Sequence, residues 1–154
     1  MNLQKGFTLI EVIVVTFILS ILALAGVETI VNFQKNALLE STARELVSTI
    51  RTAQNKSLSG ELIKGETLQP SDLPKFGVAF TVNSYTLFRQ YVGVGTSVAT
   101  YPIDTQLKLS PSSEIVFDRV SGTCSPLVLT IERLDNQEFV KIDINEKGLV
   151  TLIK

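Results

Sequence analysis

The 154-residue chain has no histidine and a single cysteine. Without imidazole, a histidine general base, a Ser-His-Asp triad and most zinc sites are excluded. One cysteine cannot close an internal disulfide or supply a cluster of thiolate ligands. Cys124 is expected as a small buried side chain, with an intermolecular bridge as the alternative. An excess of charge of one sign is also missing: the formal net charge is −1, and from Glu28 onward 13 basic residues stand against 14 acidic ones. A nucleic-acid footprint would have to be built from Arg89, Arg119, Arg133, Lys141, Lys147 and Lys154. Acidic neighbours such as Asp118, Glu132 and Glu146 dilute it, so DNA is not expected as a partner. Asp104, Asp118, Asp135 and Asp143 do not fall in an Asp-x-Asp-x-Asp calcium loop and are expected as solvated or turn residues. Gly93-Val94-Gly95 lacks the third glycine and following helix of a dinucleotide loop. No catalytic residue, metal site or cofactor is expected, and the chain reads as a non-enzyme.

What the chain does contain is one long apolar run. Residues 7–27 carry only Thr8, Glu11, Thr16 and Ser20 as polar side chains. As a helix this stretch spans roughly 30 Å, the thickness of a bilayer's hydrocarbon core. Lys5 and the initiating amine precede it, so the inside-positive bias keeps the N-terminus cytoplasmic and sends the rest across the membrane. Three readings compete: a plain anchor, a secretory signal peptide cut after Ala25 at Ala23-Leu24-Ala25, and a leader cut before the apolar run so that the helix is retained. Glu11 separates them. An acid within a spanning helix costs on the order of 2.5 to 3.5 kcal/mol at the centre and less near an end, so a discarded segment has little reason to carry one. Lys5, six residues earlier, lies off the favourable i, i+4 spacing for pairing.

The residues Lys5-Gly6-Phe7-Thr8-Leu9-Ile10-Glu11 resemble, position for position, the processing site of type IV pilins and type II secretion pseudopilins. The resemblance implies cleavage between Gly6 and Phe7 by the prepilin peptidase, N-methylation of Phe7 and retention of Glu11 as the subunit-assembly acid. The partners implied are other pilin or pseudopilin subunits, the prepilin peptidase/N-methyltransferase and a membrane crossed once. The physical logic agrees. Cleavage before the helix creates an ammonium at its tip, and the Glu11 of one subunit can neutralise the Phe7 amine of the next. Thr8, Thr16 and Ser20 are expected as helix-packing or backbone-bonding hydroxyls. Where many major pilins carry a helix proline, this sequence has Glu28.

Helical periodicity continues through Leu39, Ala43, Leu46, Ile50, Ala53 and Ser57. A helix over 7–59, capped by Gly60, would be a rod roughly 80 Å long. After a polar stretch with Pro70 and Pro74 the period changes to two. A hairpin is expected over 76–82 and 85–91 around Asn83-Ser84, followed by a Gly/Ser/Thr-rich loop over 93–100. Further strands are expected at 105–109, 114–117, 127–132, 138–144 and 149–153, with Val140, Ile142 and Ile144 inward and Lys141 and Asp143 outward.

The expected fold class is α+β: a long N-terminal helix whose second half packs on an antiparallel sheet. The division follows as 1–6 leader, 7–27 membrane and filament-core helix, 28–59 amphipathic continuation, and 60–154 extracytoplasmic β-rich domain. The segment Ala43-Arg44-Glu45-Leu46 to Ala53-Gln54, with Ile115-Val116-Phe117, Gly122, Val140-Lys141-Ile142-Asp143 and Gly148-Leu149-Val150, looks like the H-type minor pseudopilins and related minor pilins. The function expected is therefore a minor pilin or pseudopilin, a structural subunit of a type IV pilus or type II secretion pseudopilus. The alternatives are a secreted or periplasmic binding domain and a minor pilin for DNA uptake.

Overall fold

The computed structural model describes residues 6–60, 73–91, 94–136 and 138–153. Helix α1 spans Leu9–Ser59, with Glu11 in its first turn and Lys56 in its last, signs that complement the helix dipole. It begins two residues later than the expected Phe7, because Thr8 takes the capping position. It stops where Gly60 turns to φ +59°, a left-handed conformation in which a Cβ would be strained. Lys5, the leader residues before it, Pro70, Gly93 and Lys154 lie outside the described residues.

The chain divides into two compact units, Met1–Leu38 and Leu39–Lys154. The first holds the apolar start of α1. The second holds the rest of α1 and eight strands: β1 (Lys75–Phe80), β2 (Ser84–Tyr91), β3 (Val94–Pro102), β4 (Leu107–Ser110), β5 (Ser113–Val116), β6 (Leu127–Arg133), β7 (Phe139–Ile144) and β8 (Val150–Ile153). All paired strands run antiparallel, in two four-stranded sheets rather than the single sheet expected. The orders are β3-β2-β1-β5 and β4-β6-β7-β8. The chain passes from the second sheet to the first between β4 and β5, through the cis Ser110–Pro111 bond.

The helix stripe read from the sequence is the core of this unit. Leu39 and Ala43 are buried, and Leu46, Ile50, Ala53 and Ser57 are fully so. Val78 and Ile115 of the first sheet and Leu129, Ile131, Ile142 and Ile144 of the second are likewise fully buried. Each such aliphatic side chain taken out of water contributes about 1.5–3 kcal/mol. β7 alternates as expected, with Val140, Ile142 and Ile144 buried and Lys141 exposed.

Two elements differ from expectation. The segment read as a loop over 93–100 is, from Val94, the edge strand β3, paired with β2 in a register that shifts between Leu87 and Phe88. Its serines and threonines are tolerated because an edge strand meets water, and β-branched threonine suits a strand. The strand expected at 105–109 starts at Leu107, since Asp104 holds a turn: its side chain accepts the Gln106 N–H at 2.9 Å and its carbonyl accepts the Leu107 N–H at 3.0 Å.

Candidate processing and assembly site

At the N-terminus of α1, Gly6, Phe7 and Thr8 precede the first helical residue. Thr8 acts as the N-cap. Its Oγ1 accepts the Glu11 N–H at 3.3 Å, and its carbonyl accepts the Glu11 and Val12 N–H groups at 3.1 and 3.3 Å. Thr8 and Glu11 occupy the first and last positions of a Thr-x-x-Glu capping pattern, which puts the Glu11 carboxylate at the positive end of the helix dipole. Phe7, 84% exposed, lines a shallow concavity of about 220 Å³ together with Glu11, Val12, Val15 and Thr16.

Gly6 lies in open space: a Cβ added there meets nothing within 4 Å, and its φ is not positive. The fold itself does not require glycine at this position. Further along, Thr16 donates to the carbonyls of Val12 at 2.9 Å and Ile13 at 3.0 Å, and Ser20 donates to Thr16 at 2.8 Å. The hydroxyls in the run thus bond inside the helix, as a hydrocarbon environment demands. Helix α1 is long and apolar enough to cross a membrane, and its most apolar window buries nothing within the protein.

The globular unit offers no comparable constellation. Among the described residues no three His, Cys, Asp or Glu side chains come together as a metal site. Asp118 is a turn residue, as expected. Its carboxylate accepts the Ser121 and Val120 N–H groups and pairs with Lys75 at 3.2 Å, and these contacts, the Ser121 bond foremost, hold it well below the usual carboxylate range.

Arg133, counted from the sequence among possible phosphate contacts, is instead buried on the inner face of β6. It grips Asp135 at 2.7 and 3.0 Å and Glu138 at 3.1 Å, closing the β6–β7 turn. Cys124 is half-buried rather than buried, with its Sγ 3.4 Å from the Asn145 carbonyl and its thiol pushed up mainly by desolvation.

Thr8 is a backbone-bonding hydroxyl, as expected, but its place as the helix cap was not read from the sequence. The Thr-x-x-Glu spacing ahead of an apolar run was the available signal.

The family described as "Prokaryotic N-terminal methylation motif" matches residues 1–27, which cover Gly6, Phe7, Thr8 and Glu11. The chain carries an N-terminal methylation motif. No curated protein matches it in sequence. Among solved structures, the minor pseudopilin EpsH from the type 2 secretion system of Vibrio cholerae shares its fold, with a TM-score of 0.57 at 16% identity. That match covers 75% of this chain and 95% of EpsH. The long helix packed on antiparallel sheets thus has the fold of this minor pseudopilin, and the helix begins within the methylation motif. The H-type assignment drawn from the sequence is finer than this fold-level likeness.

Proposed function

We propose that the chain is a minor pilin or pseudopilin, a non-enzymatic subunit that joins other pilin subunits in a type IV pilus or type II secretion pseudopilus. The prepilin peptidase cuts it between Gly6 and Phe7, the new Phe7 amine is methylated, and the apolar start of α1 holds it in the cytoplasmic membrane with the globular unit on the far side. The observation that carries this reading is the methylation-motif match over residues 1–27 at the start of a helix whose most apolar stretch is, among the described residues, wholly uncovered. Gly6 strengthens it: a glycine that the fold does not need is accounted for by a peptidase that reads it.

Glu11 fits the assembly role through its position. A carboxylate in the first turn of a helix is stabilised by its own dipole and stands one turn from the Phe7 end. Placed in an apolar bundle, it favours the register in which a neighbour's terminal ammonium neutralises it.

The test is processing in membranes that contain a prepilin peptidase. The wild-type chain loses residues 1–6, whereas Gly6→Ala stays full length with an unchanged far-ultraviolet circular dichroism spectrum. Cleavage of both proteins at Ala25-Gly26 would support the signal-peptide alternative and remove the pilin reading.

A further inference from the structure

The core of the globular unit is left open along one side, at the edge strand β8. Among the described residues β8 pairs with β7 alone, so its outer row of backbone N–H and C=O groups has no strand beside it. Leu152 sits opposite Ile142 in the ladder and therefore on the same, core-facing side of the sheet. Yet Ile142 is fully buried while Leu152 is 37% exposed. A core-facing leucine without cover marks a place where the layer over the sheet is incomplete.

The gap is a groove between β8 and α1. Two adjoining depressions of about 520 and 330 Å³ share Arg51 and Asn55 of the helix as their common wall. The wider one reaches from Arg44 and Val47 to Leu152, and the narrower one from Arg51 to Lys147 and Leu149. No β7 residue lines either, so the groove follows the open edge of β8.

Its charge is of one sign. Among the described residues, Arg44, Arg51 and Lys147 line it and no acidic side chain does. Arg44 is paired with Glu40 at 2.6 Å, whereas among the described residues no carboxylate pairs with Arg51 or Lys147.

An open strand edge, an uncovered core leucine and two unpaired cations in one groove specify their occupant. We propose that this groove takes an extended acidic segment of a partner protein. The segment adds to β8 as a further strand, and the row of side chains that it turns toward α1 sets carboxylates on Arg51 and Lys147 and an apolar group over Leu152. Strand addition supplies affinity through main-chain hydrogen bonds, and the side-chain alternation supplies selectivity. Charge on the rim steers the encounter and discriminates against basic segments. The inference rests on the globular unit alone and does not depend on how the N-terminus is processed.

The experiment uses the full chain in detergent micelles and a short fluorescein-labelled peptide that presents glutamate, valine and glutamate on one face, with threonine at the intervening positions. Fluorescence anisotropy should show saturable binding that weakens about tenfold or more in the double variant Arg51→Glu, Lys147→Glu. The same peptide with lysine in place of glutamate should not bind, and the acidic peptide N-methylated at alternate backbone nitrogens should lose most of its affinity. Amide resonances of Val150 and Leu152, whose N–H groups point away from β7, should shift on titration. Both substituted residues are charged groups on the groove surface, so an unchanged melting temperature in the double variant shows that it is folded. Absence of binding, equal binding of the basic peptide, or equal binding of the N-methylated peptide would each overturn the proposal. So would self-association in sedimentation that the double variant abolishes, because the groove would then take a second copy of this chain.

Discussion

Ser57 occupies the last position of a stripe that otherwise reads as apolar, and it is fully buried. Its hydroxyl accepts the Phe76 N–H at 2.7 Å and lies 3.2 Å from the carbonyls of both Phe76 and Phe117, so it fastens the end of α1 to β1 and to the residue after β5. Ser57→Ala leaves a buried N–H unsatisfied and is expected to cost about 1–3 kcal/mol, read from chemical denaturation of the full chain in detergent.

Tyr85 is a second buried polar side chain. Burial first, and then the Glu45 carboxylate beside it, push its phenol well above its ordinary value, with the Thr49 hydroxyl opposing. A folded-state value raised above the unfolded one means that the contribution to stability is full below about pH 10 and declines as pH rises beyond it. Tyr85→Phe should flatten that alkaline decline in a series of melting temperatures. At the N-terminus, Glu11→Leu is expected to leave insertion and processing intact and to reduce incorporation into sheared filaments. Unchanged incorporation would count against the pairing role.

Glu11 was legible because an acid stands out in an apolar run. Ser57, Tyr85 and Arg133 were not, since their roles depend on partners 19 or more residues away or on an inner-face position that spacing alone does not reveal.

Among the elements, α1 was the most readable. One face repeats every three or four residues from Leu39 to Ser57, and a glycine with positive φ ends it. β7 was equally clear because its alternation separates a core from water. β3 was hidden, since an edge strand with polar side chains has the composition of a loop and only its pairing with β2 defines it. The division into two sheets was likewise invisible, because strand order is set by long-range pairing.

The connection between β7 and β8 shows how an element end meets the helix. Gln54 of α1 donates to the Gly122 carbonyl at 3.0 Å and the Lys147 carbonyl at 3.3 Å, and Gly148 turns beneath it with φ +72°. A Cβ at Gly148 would overlap the Gln54 amide and the Gly122 carbonyl. Gly148→Ala therefore combines backbone strain with a clash and is expected to destabilise the globular unit by about 1–3 kcal/mol, visible as a lower melting temperature.

At the scale of the whole molecule, two compact units have different surfaces. The unit Leu39–Lys154 buries its apolar stripe and has the fold of a pseudopilin. The unit Met1–Leu38 leaves Phe7, Leu9, Ile10 and the following large apolar side chains uncovered, a surface that water does not favour and that lipid or neighbouring helices would cover. Composition had already indicated this contrast, because the apolar residues are concentrated in a single run near the N-terminus and the remainder is balanced in charge.

The central claim is that this apolar unit is retained and begins at Phe7. The most direct measurement is the intact mass and N-terminal sequence of the mature chain isolated from the membranes or filaments of its native cell. A chain lacking residues 1–6 and beginning with N-methylated Phe7 is the result predicted, and a chain beginning at Gly26 would contradict it.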